Sequence, residues 1–155
     1  MCRSSSSISI RRSCRAGGKG SYAFGDDAKQ LGRYANYADA ALHRADDSFY
    51  YADQGGDDGF GVGPAPVGSL EPNAWGIHDM HGNVSEFVID QYSPELPGGK
   101  DPRCVPGEKE SRNYVFRGGA WCSHPGYCQA GFRNHASVKE TNLHQGYRVV
   151  LAPKG

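Results

Sequence analysis

The side chains with the greatest chemical reactivity lie near the carboxy terminus of the sequence. Cys122, His124 and Cys128 form a C-x-H-x3-C pattern, and thiolates with an imidazole are ligands that copper(I) and zinc prefer. A structural zinc site usually has four ligands in paired short spacings, and the sequence has no second pair near this one. Cys122 and Cys128 could also cycle between dithiol and disulfide, or be buried and inert. The spacing alone leaves these alternatives open.

Acidic residues form a second group with chemical potential. Residues 45–60 contain no Lys or Arg and carry five aspartates, Asp46, Asp47, Asp53, Asp57 and Asp58. Carboxylates on a Gly-rich backbone suit calcium, whereas the alternative interpretation is a solvated acidic loop. A shorter oxygen-rich turn is predicted around Gly82, where Asp79, Asn83 and Glu86 follow one another closely.

Composition limits the classes of function. The chain has 155 residues, and its 17 Lys and Arg are balanced by 17 Asp and Glu, so no general positive charge favours nucleic acid. No stretch approaches the roughly 18 apolar residues of a membrane span. Residues 1–13 lack the apolar region and cleavage site of a secretory signal, so the default expectation is a cytoplasmic protein. Five cysteines without framework spacing do not indicate a disulfide scaffold.

The periodicity of apolar residues predicts the helices and strands that position these groups. Apolar residues at helical spacing predict a helix over 27–47, capped by Asp26 or Asp27. Residues 114–121 and 146–151 are β-prone runs bounded by Gly and Pro, and we expect them to pair with each other across the intervening loop. Residues 1–13, basic and serine-rich, predict a disordered tail.

Several motifs together resemble one family. Residues 73–87 (NAWGIHDMHGNVSEF) resemble the sulfatase-modifying-factor family, whose founding activity is that of the formylglycine-generating enzyme. Further motifs follow the family's order at residues 14–17 (CRAG), 22–27 (YAFGDD), 64–67 (PAPV), 117–121 (RGGAW) and 146–151 (GYRVVL). The resemblance implies an α+β, C-type-lectin-like fold with little regular secondary structure over residues 14–155, forming the carboxy-terminal part of the family domain. Residues 1–13 are expected to lie outside it, so the chain resembles an amino-terminally truncated domain.

The resemblance also implies two structural calcium ions. The first would be held by Asn36, the Tyr37 carbonyl, Asp58 and the Phe60 carbonyl. This assignment requires Asn36 in a turn, which conflicts with an unbroken helix over 27–47. The ligands of the second would be Asp79, the carbonyls of Gly82 and Val84, and Glu86.

For activity, the resemblance implies oxidation of a cysteine in a sulfatase-like protein or peptide to formylglycine, with O2 and copper(I) held by two cysteines. Cys122 and Cys128 are the candidates, although their separation of five residues is longer than in the family's enzyme. Ala120 replaces a serine of that enzyme, and Ser123 falls where its first catalytic cysteine would be. One alternative is a non-catalytic, calcium-stabilised lectin-like binding or structural module. Another is the carboxy-terminal part of an enzyme similar to the non-haem iron sulfoxide synthases, whose histidine ligands come from a preceding domain.

Overall fold

The computed structural model describes residues 2–4, 7–95, 113–137, 139–140 and 142–151. In this part of the chain the helices are α1 (Ser7–Arg15), α2 (Ala40–Ala45) and 3₁₀-helices at Ala28–Arg33 and Pro125–Cys128. The strands are β1 (Cys2–Ser4), β2 (Ser85–Gln91), β3 (Asn113–Arg117), β4 (Asn134–Ser137), β5 (Gln145–Tyr147) and β6 (Val149–Leu151). These elements are short and joined by long irregular segments, which confirms the expected mixed fold with little regular secondary structure. Every helix among the described residues is too short or too polar to span a bilayer.

The main sheet has the strand order β4-β3-β2-β5. The inner strand β2 pairs antiparallel with β3 and parallel with β5, while β1 pairs antiparallel with β6 in a separate small sheet. The predicted direct pairing of residues 114–121 with 146–151 is therefore wrong, because β2 lies between β3 and β5. The sequence predicts an oxygen-rich turn that includes Glu86 of β2, and local pattern does not show which strand occupies the centre of a sheet.

The helix predicted over 27–47 is also wrong, because the structure forms two short helices there. Asp27 Oδ1 accepts a hydrogen bond from Lys29 N (3.1 Å), and Asp39 Oδ1 accepts one from Leu42 N (3.1 Å). Each aspartate therefore caps its own helix, and the chain bends between them. Leu31 and Leu42 are both fully buried, so the apolar positions were identified correctly although the element was not. The bend contains Asn36, as the resemblance required.

Residues 7–13 differ from the disordered tail that composition predicts, because they lie within α1. Ile10 and Cys14 lie on one face of this helix and are 5% and 3% exposed. They belong to a core cluster with Val88 of β2 and Val115 of β3. The apolar residues of α1 thus bury enough surface against the sheet to stabilise a short helix.

A turn at residues 79–84, called the central turn below, joins several distant segments. Asp79, Gly82 and Asn83 have φ of 56°, 68° and 64°, a left-handed conformation that Gly, Asn and Asp adopt most readily. Asn83 N donates to the carbonyl of Asn36 (2.7 Å), and Gly82 N donates to the carbonyl of Gly118 (2.7 Å). The central turn therefore ties the bend between the helices to the segment after β3.

The side chains of the central turn add further connections. Asn83 accepts from Ala65 N (2.9 Å) and donates to Ala65 O (3.2 Å) through its amide. His81 Nε2 accepts from Ala23 N (3.0 Å), so its Nδ1 carries the proton that is donated to the Cys128 carbonyl (2.7 Å). Burial lowers the pKa of His81, which keeps the imidazole neutral. His81 is therefore a packing residue that fixes two loops.

We expect Gly82→Ala to destabilise the fold by about 3 kcal/mol or more, since an alanine resists the positive φ and its Cβ would collide with the Asn36 carbonyl. Gly131→Ala is the matched control, because no atom lies within 4 Å of a Cβ at Gly131. Its effect should stay within about 0.5 kcal/mol. Urea unfolding followed by circular dichroism measures both, and equal midpoints would contradict the role of the central turn.

Candidate functional site

The first predicted calcium group is assembled at the bend between the two short helices. Asp58 accepts hydrogen bonds from Tyr37 N (2.8 Å) and Phe60 N (2.8 Å), one on each carboxylate oxygen. Asn36, next to Tyr37, is 1% exposed and donates from Nδ2 to the Gly63 carbonyl (3.1 Å). Its Oδ1 is buried without a hydrogen-bond partner. The structure thus connects Tyr37, Asp58 and Phe60 through one carboxylate, and the neighbouring Asn36 carries a buried amide oxygen that lacks a donor.

The electrostatics of this group favour a bound cation. Asp39 is fully buried, and its Oδ2 accepts a hydrogen bond from Asp58 N. Burial raises the pKa of Asp58 to about 7, two backbone hydrogen bonds oppose this rise, and the neighbouring charge of Asp39 adds to it. Two carboxylates close together in a buried setting are stabilised by a positive ion between or beside them. The oxygen donors present here fit calcium.

The second predicted calcium group already contains a positive charge. Arg148 Nε lies 2.9 and 3.0 Å from the two carboxylate oxygens of Glu86, and Arg148 Nη2 lies 2.7 Å from Oε1. The same Nη2 donates to the carbonyls of His78 (3.1 Å) and Asp79 (3.2 Å). Burial raises the pKa of Glu86, and the pairing with Arg148 opposes this rise.

The remaining ligand set of the second group is partly engaged as well. The Asp79 carboxylate accepts from Gly68 N (2.8 Å), and the carbonyls of Gly82 and Val84 belong to the central turn. A calcium ion here would share Glu86 with a guanidinium. The second group therefore fits calcium less well than the first.

Neither group is a cluster of carboxylates. Within the described ranges, no three His, Cys, Asp or Glu side chains are grouped in a way that could hold a metal ion. The first group would rely on Asp58 together with amide and carbonyl oxygens, a mixture that calcium accepts and that softer metals do not prefer.

The two candidate catalytic cysteines lie in different apolar clusters. Cys128 ends the second 3₁₀-helix, is fully buried and packs in a cluster with Tyr22, Leu31, Ala35 and Tyr37. Burial raises the pKa of its thiol to about 12. The Cys128 side chain is tightly packed, because a Cβ atom added at Gly119 would lie 2.7 Å from the Cys128 sulfur atom.

Cys122 is half-buried and packs against a separate cluster that includes Leu42 and Trp121. Burial raises the pKa of its thiol as well, and neither cysteine forms a disulfide. His124 Nδ1 accepts from Gly126 N (3.3 Å) and caps the second 3₁₀-helix. The C-x-H-x3-C pattern thus consists of one fully buried thiol, one half-buried thiol and an imidazole that caps a helix.

Ser123, which the resemblance places at the first catalytic position of the family's enzyme, forms part of a tight turn. Ser123 Oγ accepts from Ala120 N (2.9 Å), and Ser123 N donates to the Ala120 carbonyl (2.8 Å). The Ser123 carbonyl in turn accepts from Ala38 N (3.0 Å). Ser123 therefore stabilises the loop that carries Trp121 and Cys122.

The sequence pattern did not indicate two charged residues of these groups, namely Asp39 beside Asp58 and Arg148 beside Glu86. Asp39 is distant from Asp58 in the sequence, so no local spacing connects the two. The signal that the sequence does contain is the position of Asp39 three residues before Leu42, which is typical of a helix cap. Arg148 lies in the 146–151 motif, but its pairing with Glu86 depends on the parallel register of β2 and β5.

Comparison with known proteins places the chain in a family. The sulfatase-modifying factor enzyme 1-like domain matches residues 6–153. The formylglycine-generating enzyme of Thermomonospora curvata is 30% identical over 104 residues, which are 63% of this chain and 34% of that protein. The formylglycine-generating enzyme of Mus musculus is 32% identical over 89 residues, which are 56% of this chain and 22% of that protein.

Solved structures share the fold. PvdO from Pseudomonas aeruginosa has a TM-score of 0.74 and 29% identity, with 96% of this chain and 51% of that chain covered. Treponema denticola variable protein 1 has a TM-score of 0.73 and 22% identity, with 96% of this chain and 46% of that chain covered. The chain spans about half of the length of these structures, and its matches span 34% and 22% of the two curated relatives. Since the family match covers residues 6–153, the chain belongs to the sulfatase-modifying factor enzyme 1-like domain family.

Proposed function

We propose that this chain is a calcium-stabilised, non-catalytic binding domain of the sulfatase-modifying factor family. The observation that carries the proposal is the packing of the candidate cysteines, because Cys128 is fully buried in one apolar cluster and Cys122 is partly buried against another. A copper(I) site on two cysteines requires both sulfurs as thiolates at one ion. The departures at Ala120 and Ser123 support the same conclusion.

The proposed role of calcium is to hold loops that carry little regular structure. An ion at Asn36, Tyr37, Asp58 and Phe60 would connect the bend between the helices to the acidic loop. It would supply a partner for the buried Oδ1 of Asn36 and compensate the charge of Asp58 beside Asp39. Binding to the folded chain alone would add directly to its stability.

Oxidation of a cysteine in a sulfatase-like protein or peptide to formylglycine is the second candidate function. It is favoured by the relatives at 30% and 32% identity, whose names state that activity. The half-buried Cys122 beside Trp121 is the residue that such a reaction would use here, with Cys128 as its partner.

Calcium in excess should raise the free energy of unfolding by about 2–3 kcal/mol at a hundred times its dissociation constant. The corresponding rise in Tm is about 5–10 °C for a domain of this size. Asp58→Asn should abolish this rise, because it removes the carboxylate of the first group. Thermal unfolding by circular dichroism, with calcium and then with excess chelator, measures the difference.

The matched control for this series is Asp47→Asn, which removes the charge of an exposed aspartate in the same loop. The control should keep the full response to calcium. An equal response in Asp58→Asn would place the ion elsewhere, and no response in the unsubstituted chain would overturn the proposed calcium site.

Incubation with copper(I), reductant, O2 and a cysteine peptide from a sulfatase should leave the peptide mass unchanged, because Cys128 is fully buried and its sulfur is out of reach of an ion in solvent. Mass spectrometry of the peptide is the measurement, and the Thermomonospora curvata enzyme is the positive control. Conversion to the aldehyde that disappears in Cys122→Ser would instead establish the second candidate function.

A further inference from the structure

Residues 37–58, called the covering loop below, form a loop whose two ends are joined by hydrogen bonds. At this neck, Tyr37 N donates to Asp58 Oδ2 (2.8 Å), and Asp58 N donates to Asp39 Oδ2. The other oxygen of Asp39, Oδ1, accepts from Leu42 N (3.1 Å) and so caps α2. One buried carboxylate therefore holds both the neck and the first turn of the helix that follows it.

The covering loop packs against the segment that carries Cys122. The thiol packs against an apolar cluster that contains Trp121 and four residues of the loop, Ala38, Leu42, Phe49 and Ala52. The ring centroids of Phe49 and Trp121 lie 5.8 Å apart. The apolar surface that covers Cys122 is therefore supplied largely by the loop.

Two hydrogen bonds also join the covering loop to the chain around Cys122. The Tyr51 hydroxyl donates to the Cys122 carbonyl (3.0 Å), and Ala38 N donates to the Ser123 carbonyl (3.0 Å). The helix within the loop, α2, has six residues and is too short to be stable by itself. The position of the loop therefore depends on its neck and on these contacts, a combination typical of segments that open locally.

The ligands proposed for the first calcium ion lie at the neck of the covering loop. Asn36 and Tyr37 are at its first end, and Asp58 and Phe60 are at its second end. An ion held by residues of both ends would fix the ends relative to each other. Opening of the loop at its neck would separate these ligands and release the ion, so calcium would oppose the opening by mass action.

We propose that the covering loop is a calcium-closed cover over Cys122 and that removal of calcium exposes this thiol. The inference rests on the calcium site of the proposed function and names what that site controls. Asp39 is a positioning residue of the cover, because it holds Asp58 at the neck and Leu42 in the helix. Without the ion, the buried carboxylates of Asp39 and Asp58 lie next to each other and favour opening of the neck.

Alkylation of the reduced full chain with iodoacetamide tests the proposal, and mass spectrometry of the digested protein follows each cysteine separately. Cys122 should react slowly in excess calcium and faster in excess chelator at the same pH. At a hundred times the dissociation constant of calcium, the ratio of the two rates should be about ten or more. Its limit is about 100 for a thiol that reacts only when the loop is open.

Cys14 is the internal control for unfolding of the whole chain, because it is buried in the core cluster between α1 and the main sheet. Its reaction should be slower than that of Cys122. Urea should accelerate the reaction of Cys14 more steeply, because unfolding of the whole chain exposes more surface than opening of one loop.

Substitutions in the covering loop sharpen the test. Tyr51→Phe removes only the hydrogen bond to the Cys122 carbonyl and should accelerate alkylation of Cys122 in calcium by about two- to ten-fold. Asp39→Asn loses an acceptor at the neck and should accelerate Cys122 without accelerating Cys14. Asp47→Asn removes the charge of an exposed aspartate in the same loop and should change neither rate.

Two outcomes would overturn the cover while leaving the calcium site intact. The first is equal alkylation of Cys122 in calcium and in chelator, in a chain whose Tm rises with calcium. The second is an equal urea dependence for Cys122 and Cys14, which would mean that only unfolding of the whole chain exposes the thiol. If neither Tm nor alkylation responds to calcium, the proposed calcium site is overturned together with the cover.

Discussion

The left-handed backbone of the central turn is the constraint on which the rest of the structure depends. Gly82 approaches the Asn36 carbonyl so closely that no side chain fits between them, and Asn83 is hydrogen-bonded to Asn36 and Ala65. A chain with so few long helices and strands has few backbone ladders to hold its loops. Its loops are held by individual polar side chains, and residues 79–84 supply several of these at one point. The fold thus depends on a short segment of unusual conformation instead of on one large apolar core.

The two buried carboxylates of Glu86 and Asp58 have different charged neighbours. Glu86 is paired with Arg148, whose guanidinium also binds two backbone carbonyls. Asp58 has Asp39 as its neighbour, and burial raises the pKa of Asp58 to about 7. A protein cation pairs with the first carboxylate, whereas the second has another buried carboxylate as its neighbour. This difference explains why two acidic segments of similar composition do not fit calcium equally well.

The two faces of the main sheet have correspondingly different roles. The inner face packs against α1 through Val88, Val115 and Ile10, and it is part of the core. The outer face carries the rings of Phe87 and Phe116, which meet edge to face, and an open pocket lies beside β5. Cys122 and Cys128 pack in other apolar clusters, and burial raises the pKa of both thiols.

The sequence by itself determined the family, the mixed fold, the acidic segments and the buried positions Leu31 and Leu42. The motifs indicate the family and the reactive side chains, and the local spacing of apolar residues indicates which positions are buried. Only the tertiary structure decided that the helix breaks at Asn36, that β2 lies between β3 and β5, and that α1 packs on the sheet. It also decided that Arg148 reaches Glu86 and that Cys122 and Cys128 lie in separate clusters. Each of these features depends on contacts between segments that are distant in the sequence. The free energy of such contacts exceeds the local conformational preference of the residues, and the local spacing of residue types does not reveal it.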